Sequence, residues 1–322
     1  MALLSVDDLH VELQTNRGMV PAVRGVSFAV EAGGTLGVVG ESGCGKSITA
    51  LALMGLLPEG ARVHGRIDLG GTDLLGLSED EMCHVRGNRI AMIFQEPMTS
   101  LNPVHRIGRQ IAEPLRLHRG LRGADAREEV LRLLDRVGLP DPAKRIDAYP
   151  HQMSGGQRQR VMIAMALSCE PDILLADEPT TALDVTIQGQ ILDLINELVD
   201  DSGMGLILIS HDLGVIGETT DNVAVMYGGS MVEQGPTDSL FEHLAHPYSQ
   251  GLFAAVPRVG ERHDGPLHTI PGTVPELADL PPGCAFADRC AKASDVCWGP
   301  APGMAEVGAA HHAACHHLGG AV

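Results

Sequence analysis

The sequence predicts an α/β protein built around a parallel β-sheet, and three observations support this fold class. Apolar runs typical of buried strands alternate with segments of helical periodicity along most of the chain. One short apolar run ends in a glycine-rich turn that leads directly into a predicted helix. The chain has 322 residues, of which 44% are hydrophobic and 20% charged, so it has enough material for a globular core.

The individual elements follow in chain order. Apolar or alternating runs predict strands at Leu3–Leu13, Met19–Val30, Thr35–Val39, Ile90–Phe94, Asp172–Ala176 and Gly205–Ser210. Apolar residues at helical spacing predict helices at Lys46–Leu57, Arg106–Val137, Gly156–Ser168 and Thr186–Val199. Pro58 is expected to end the first helix. From about Val256 prolines and glycines crowd the sequence and periodicity disappears, which predicts a linker and a small irregular tail.

Charge and hydropathy restrict the classes of function. Lys and Arg number 23 against 41 Asp and Glu, a net charge of −18 that repels phosphate backbones and argues against nucleic-acid binding. No apolar run reaches the roughly 18–20 residues of a membrane span. The start of the chain turns acidic at Asp7 and is a poor signal peptide. We therefore expect a cytosolic protein that reaches a membrane only by docking on another chain.

The glycine-rich turn after Thr35–Val39 is a phosphate-binding motif. Residues 40–47, GESGCGKS, match G-x-x-x-x-G-K-[ST] between a predicted strand and a predicted helix. Such a loop directs backbone N–H groups and a helix N-terminus toward phosphate oxygens. Lys46 can reach the β- and γ-phosphates, and the Ser47 hydroxyl can ligate Mg²⁺. The sequence therefore predicts a nucleotide site.

A pair of acidic residues ends another buried strand. Asp177 closes the apolar run DILLA, where a carboxylate can hold Mg²⁺ through water, and Glu178 could polarise an attacking water. Alone, such a pair is more often a solvated corner, but the phosphate loop upstream favours the functional interpretation.

Further motifs follow in a fixed order, and together they carry a family resemblance. They are the loop 40–47, Gln95 in IFQEP, MSGGQ at 153–157, ILLADEP, Ala182-Leu183-Asp184, and His211 in ISHD. In them the chain resembles the ATPase subunits of ABC transporters over its first 250 residues. The nearest group looks like the ATPases of oligopeptide/dipeptide and nickel importers. This closer resemblance rests on the segments GESGCGKS, IFQEPMTSLNP, YPHQMSGGQRQR, HPYSQGLFAAVPR and IPGTVPELADLPPGCAFADRC.

The resemblance implies an architecture and a set of partners. The fold would be a P-loop NTPase (RecA-like) core with an antiparallel β subdomain and an inserted helical subdomain at about 97–160. The ATPase domain would span 1–255, and 256–322 would form the linker and cysteine tail. Its partners would be a second ATPase subunit, identical or paralogous, two membrane permease subunits and, indirectly, an extracytoplasmic solute-binding protein. The chain would lie at the cytoplasmic face of the membrane.

The resemblance also implies residue roles in ATP hydrolysis. Glu178, His211 and Gln95 would be catalytic, and Ser47, Gln95 and Asp177 would hold Mg²⁺. Asp184 would lie in a loop crossing the dimer interface. ATP would contact the loop and, from the opposing subunit, the signature segment, through Gly40, Glu41, Ser42, Gly43, Cys44, Gly45, Lys46, Ser47, Ile48, Ser154, Gly155, Gly156 and Gln157. Such ATPases usually stack adenine on an aromatic residue upstream of the loop, but residues 1–27 contain no Phe, Tyr or Trp, and Leu13 or Arg17 could substitute.

Four of the seven cysteines crowd the tail. Cys284, Cys290, Cys297 and Cys315 lack the tight C-x₂₋₄-C pairs of zinc modules, whereas iron–sulfur clusters tolerate longer spacings. The family resemblance extends over the tail and implies a four-cysteine [4Fe–4S] site. Zinc, disulfides and unliganded thiols remain alternatives.

Other functions are compatible with parts of the pattern. A nickel or other solute importer shares every motif, because the solute is selected elsewhere. A soluble ABC ATPase of DNA repair or translation is disfavoured by the acidic charge and by the lack of coiled-coil heptads. A regulatory module without hydrolysis is disfavoured by the presence of Glu178 and His211.

Overall fold

The computed structural model describes residues 2–95, 100–181, 183–255 and 269–318. The strands are β1 (Ala2–Thr15), β2 (Gly18–Glu31), β3 (Thr35–Val39), β4 (Arg62–Leu69), β5 (Thr72–Asp73), β6 (Ile90–Ile93), β7 (Ile173–Asp177), β8 (Gly205–Ser210), β9 (Asn222–Tyr227), β10 (Ser230–Pro236), β11 (Ala305–Gly308) and β12 (His311–Ala313). The helices are α1 (Lys46–Leu53), α2 (Glu79–Val85), α3 (Ile107–His118), α4 (Gly123–Arg136), α5 (Pro142–Arg145), α6 (Gly155–Ala166), α7 (Val185–Ser202), α8 (Leu213–Thr219), α9 (Thr237–Glu242) and α10 (Pro247–Ala254).

Two compact units make up the described chain. The first comprises residues 2–4, 30–34 and the described part of 76–207, and the second comprises 5–29, 35–75 and the described part of 208–318. In neither unit is a described helix both long and apolar enough to cross a bilayer.

The first unit combines parallel strands with a layer of helices. Strands β6 and β7 pair in parallel register, with Ile90 opposite Ile173 and Ile93 opposite Ala176. Helix α3 packs against α4 and α6, because the apolar residues repeat at helical spacing and bury one face of each helix. The fully or nearly fully buried residues of this helical core include Ile107, Ile111, Leu115, Val130, Leu133, Leu134, Val161 and Ile163.

The second unit contains antiparallel and parallel pairing. One sheet has the strand order β2-β1-β4-β5. A second series runs β11-β12-β10-β9-β3, in which β3 and β9 are parallel and the other pairs are antiparallel. Strand β3 is buried along Leu36–Val39, as its apolar sequence predicts. The second unit therefore presents the end of a buried parallel strand at the glycine-rich loop.

Several predicted boundaries differ from the structure for local reasons. Helix α1 ends at Leu53, before the predicted Leu57, because Gly55 adopts φ +59° and Leu56 N donates to Leu51 O at 2.9 Å. These are the features of a Schellman C-terminus. The single helical stretch predicted over 106–137 is two helices, α3 and α4, and Gly120 between them has φ +68°.

The tail is more regular than the sequence indicates. Strand β12 pairs with β10, with Glu233 opposite Ala313, and β11 pairs with β12. The predicted linker at 256–268 lies outside the described residues. The strands β4, β9 and β10 were not predicted, whereas Thr35–Val39 and Gly205–Ser210 are confirmed to the residue.

Candidate functional site

The predicted phosphate loop joins β3 to α1 in the second unit. Gly40, Gly43 and Gly45 adopt φ values of +154°, +81° and +104°, the region that favours glycine. A Cβ atom on Gly40 would lie 2.3 Å from Met226 O, and one on Gly45 would lie 2.7 Å from Ala22 O. Backbone conformation therefore favours glycine at all three positions, and space also requires it at Gly40 and Gly45.

Lys46 is buried within this loop, with 5% of its surface exposed. Its Nζ donates to Gly40 O at 2.7 Å and to Glu41 O at 3.1 Å. Cys44 lies beside it, and burial raises the pKa of the Cys44 thiol. The lysine charge is thus held at the N-terminus of α1, where the helix dipole also favours an anion.

A cavity of about 570 Å³ opens beside the loop, next to Ser42 and Gly43. Leu13 and Arg17 line it from the end of the β1–β2 hairpin, and residues 274–278 of the tail line it from another side. Arg17 is fixed there by hydrogen bonds to both carboxylate oxygens of Asp279, at 2.7 and 2.5 Å. Leu13 and Arg17, the two residues that the sequence offers in place of an adenine-stacking aromatic residue, therefore both line this cavity.

In the first unit the structure brings together two predicted catalytic residues. Gln95 Nε2 donates to Glu178 Oε2 at 3.0 Å, and Thr181 Oγ1 donates to the same oxygen at 2.8 Å. Glu178 has φ +45°, a conformation unusual outside glycine, and directly follows the buried Asp177 at the end of β7. The role of Thr181 was missed because a threonine three residues after a glutamate carries no pattern of its own.

The signature segment begins α6. Ser154 is the N-cap residue, and its Oγ accepts from Gln157 N at 3.3 Å while Gln157 Oε1 accepts from Ser154 N at 3.2 Å. This capping box stabilises the helix N-terminus predicted to face an anion. Ser154 and Gly155 are exposed. A Cβ on Gly156 would lie 2.8 Å from Ile187 Cγ2, so α7 requires a glycine there.

Two further predicted residues have defined local positions. Asp184 is the N-cap of α7 and accepts from Ile187 N at 3.0 Å. His211 directly follows β8 and is exposed, while its neighbour Asp212 caps α8. Ala182 of the same predicted motif lies outside the described residues.

In the described part of the tail, the four cysteines form no disulfide with one another. Burial raises the pKa of Cys284, Cys290 and Cys315, and the charges of neighbouring cysteines raise each further. Cys297 Sγ lies 3.6 Å from His317 Nε2, and Cys284 N donates to Cys297 O at 2.8 Å. Among the described residues, no group of three or more His, Cys, Asp or Glu side chains is arranged to hold a single metal ion. The predicted [4Fe–4S] site is therefore not supported by an assembled metal centre.

Comparison with known proteins agrees with the geometry of the loop. Residues 23–181 match the family model described as ABC transporter, and residues 232–297 match the model described as oligopeptide/dipeptide transporter, C-terminal region. A Brucella abortus protein named as a peptide import ATP-binding protein is 51% identical over 95% of this chain and 92% of its own length. A Brucella ovis protein with the same description is 49% identical over 97% of this chain and 96% of its own length.

Solved structures with the same fold include ATP-binding cassettes. One is a dimeric cassette in a post-hydrolysis state with ADP and Pi, 25% identical, with a TM-score of 0.65 over 73% of this chain and 98% of that chain. Another, from Clostridium perfringens, is part of the ABC transporter complex cbiONQ and is 26% identical, with a TM-score of 0.63 over 75% of this chain and 91% of that chain. The chain therefore belongs to the ATPase subunits of ABC transporters, in the group that carries the oligopeptide/dipeptide transporter C-terminal region.

Proposed function

We propose that this protein hydrolyses ATP to drive uptake of oligopeptides or dipeptides through a separate membrane permease. The observation that carries the proposal is the match of residues 232–297 to the peptide-transporter C-terminal region, with relatives named for peptide import aligned along nearly the whole chain. In this proposal residues 1–255 form the ATPase domain, with its helical subdomain at about 97–160, and 256–322 form the linker and tail. Residues 1, 96–99, 182, 256–268 and 319–322 of these ranges lie outside the described structure.

The proposed reaction is transfer of the γ-phosphoryl group to water. Lys46 would bind phosphate oxygens, and Glu178 would accept the proton of the attacking water. The donors Gln95 and Thr181 support this role, because they orient the Glu178 carboxylate as an acceptor. Mg²⁺ held through Ser47, Gln95 and Asp177 would neutralise charge on the phosphates. His211 would contact the γ-phosphate or the water.

The cavity beside Ser42 and Gly43 is the proposed site of the base and ribose. Its position next to the phosphate loop supports this assignment, as do the apolar surfaces of Leu13 and Leu277. Aliphatic side chains contact the face of a base by dispersion and form no hydrogen bonds with the groups at its edge, which distinguish one base from another. We therefore expect weak discrimination between ATP and GTP.

A second ATPase subunit, identical or paralogous, is proposed to complete the active site. The exposed Ser154 and Gly155 at the start of α6 support this proposal, because a capped helix N-terminus with open N–H groups is an anion-binding surface. In the related cassette with ADP and Pi the protein is dimeric. Binding of ATP would close the dimer, and loss of the γ-phosphate contacts would reopen it.

The permease is proposed to dock on the first unit at the cytoplasmic face of the membrane. Phe94 and Val104 are 40% and 73% exposed on either side of the segment after Gln95. Exposed apolar side chains are a feature of contact surfaces, and Phe94 directly precedes Gln95 in the sequence. Two permease subunits and an extracytoplasmic solute-binding protein would complete the importer.

The four tail cysteines are proposed to hold a [4Fe–4S] cluster with a structural role. The thiols of Cys284, Cys290 and Cys315, whose pKa is raised by burial and by neighbouring tail cysteines, support this, and Cys297, which lies between them in the sequence, is buried; a cluster also spans more space than a single ion. The test is iron and sulfide content, with visible absorption, after anaerobic purification of the parent and of the control Cys83→Ser. Colourless, iron-free protein with all four cysteines open to alkylation would contradict the cluster.

Transport is tested by isolating the protein from membranes with its partners. We expect two integral membrane subunits to co-purify, and ATP hydrolysis in proteoliposomes to rise when a peptide and its binding protein are added. Stimulation by Ni²⁺ instead of peptides would favour the nickel importer. Recovery without any membrane subunit would contradict a transport function.

A further inference from the structure

The second residue of the phosphate loop, Glu41, is bound by a side chain of the tail. Arg289 Nη1 donates to Glu41 Oε2 at 2.7 Å, and Arg289 Nη2 donates to Glu41 Oε1 at 3.1 Å. The motif leaves this position variable, so phosphate binding does not require a carboxylate there. An unpaired carboxylate in a loop that binds a triphosphate would repel it. The arginine supplies the compensating charge.

Arg289 is held by contacts on every side. Its side chain is 4% exposed, and its Nε donates to Pro271 O at 2.9 Å. Its guanidinium also lies 5.8 Å from the ring centroid of Tyr227 and 5.9 Å from that of Phe286. A planar, bidentate and nearly buried guanidinium of this kind fixes the orientation of its carboxylate partner far better than a surface ion pair does.

The backbone of Glu41 is held from the same region. Glu41 N donates to the Tyr248 hydroxyl at 2.8 Å, and Tyr248 is fully buried. Tyr227, Tyr248 and Phe286 form an aromatic cluster with centroid distances of 4.7 to 5.3 Å. The sequence has only three Tyr and five Phe, so a large share of its aromatic residues is gathered at this contact.

The contact is part of the cysteine tail. Phe286 and Arg289 both lie between Cys284 and Cys290, and Cys290 directly follows Arg289. The tail segment is therefore connected to the phosphate loop by a charged pair as well as by packing.

We propose that Arg289 is a positioning residue for nucleotide binding, which neutralises and orients Glu41 so that the phosphate loop can accept a triphosphate. The proposal rests on the assignment of residues 40–47 as the phosphate site. It gives the tail a direct role in ATP affinity, through one ion pair.

Two charge-removing variants test this proposal, because each breaks the same ion pair but leaves the opposite charge. Arg289→Gln leaves the Glu41 carboxylate uncompensated, and we expect affinity for MgATP to fall about tenfold or more. Glu41→Gln keeps the backbone of the loop and leaves the arginine charge, and we expect affinity to rise. In the double variant the loop is neutral, and we expect affinity to return to within about threefold of the parent. Isothermal titration calorimetry of the full chain with MgATP measures all four proteins.

Arg132→Gln is the matched control, since Arg132 makes a two-contact pair with Glu129 on α4, at 2.9 and 2.6 Å, and should not alter affinity. Thermal unfolding establishes that each variant is folded.

If Arg289→Gln does not fold, the Glu41→Gln protein still tests the proposal, because an affinity no higher than the parent's would contradict the charge argument. Equal affinity of folded Arg289→Gln and parent would overturn the proposal, as would a double variant no better than Arg289→Gln. A parent protein that binds no MgATP would instead contradict the assignment of the phosphate loop.

Discussion

At the scale of single residues, Glu178 combines backbone strain with a fixed side chain. Its φ of +45° is uncommon for a residue with a Cβ atom, and its Oε2 accepts from Gln95 and Thr181. Strain of this kind persists where the surroundings over-determine the conformation, and it concentrates at active sites. The structure thus gives the residue proposed as the general base a single orientation.

Glu178→Gln should abolish turnover and retain ATP binding. The amide keeps the size of the carboxylate and can still accept from Thr181, but it cannot take a proton from water. We expect steady-state hydrolysis to fall by about 100-fold or more, with nucleotide affinity within about threefold of the parent. Glu197→Gln, an exposed change on α7, is the control. Undiminished multiple-turnover hydrolysis by Glu178→Gln would disprove the assignment.

His246 gives a second prediction at this scale, for stability against pH. Burial lowers the pKa of His246 from 6.5 to about 4, and its Nδ1 accepts from Tyr248 N at 3.0 Å, so the folded state holds neutral imidazole. The unfolded chain binds this proton near pH 6.5, so between about pH 6.5 and 4 the unfolded state holds more protons. Acidification from pH 7 to pH 5 should therefore lower the free energy of unfolding by about 2 kcal/mol through the protonation of His246 in the unfolded chain.

Urea unfolding at pH 7 and pH 5 measures this effect. His246→Asn is the comparison, because asparagine can still cap α10 without titrating. The variant should lose less stability than the parent on acidification. An identical loss in both proteins would show that His246 does not carry the pH dependence.

At the scale of elements, the N-terminus of α6 has one structural role and one proposed role, and substitutions can separate the two. Ser154 stabilises the helix through a capping box, and it is also the residue proposed to meet the opposing subunit's ATP. Aspartate is an equally good N-cap, but its charge repels phosphate. Replacing Ser154 by aspartate should therefore keep the helix cap but weaken the proposed contact with phosphate.

Ser154→Asp should preserve stability and abolish ATP-driven dimerisation. Ser154→Ala should instead cost about 1 kcal/mol of stability through loss of the cap. Both changes are best made in the Glu178→Gln background, with dimer formation followed by sedimentation in MgATP. A Ser154→Asp protein that still dimerises with ATP would remove this segment from the proposed nucleotide interface.

At the scale of the whole molecule, ATP hydrolysis must be communicated to the permease. The exposed Phe94 and Val104 flank the segment after Gln95, whose amide contacts Glu178 in the same unit. In the proposed function, a change in contacts at Glu178 would pass to Gln95 and so to its exposed neighbour Phe94. Docking and chemistry would use neighbouring parts of one unit.

Val104→Arg should uncouple transport from hydrolysis. A charge on an apolar contact surface weakens docking, whereas the hydrogen bonds to Glu178 are unchanged. We expect basal hydrolysis by the isolated chain to stay within about twofold of the parent, and peptide-stimulated hydrolysis with the permease to be lost. Val104→Ile is the conservative control. Full peptide stimulation of the Val104→Arg importer would place the docking surface elsewhere.

The sequence by itself determined the features that depend on neighbouring residues. The apolar run Thr35–Val39, the glycine spacing of residues 40–47 and the serine that caps α6 are local patterns, and each has its predicted form in the structure. The α/β fold class followed from the order of such patterns. The predicted end of α1 and the predicted continuous helix over 106–137 were wrong. Gly55 and Gly120 adopt positive φ values and end a helix at those points, which their position in the sequence did not indicate.

Only the tertiary structure decided the contacts between distant segments. Arg289 and Glu41 are 248 positions apart, and nothing in the spacing of either motif identifies the other as a partner. The pairing of β12 with β10 likewise joins a Pro- and Gly-rich tail to a strand about 80 residues earlier. Which distant segments meet depends on burial and on which charges need a partner. These are properties of the folded chain, and the spacing of apolar residues along a short segment does not encode them.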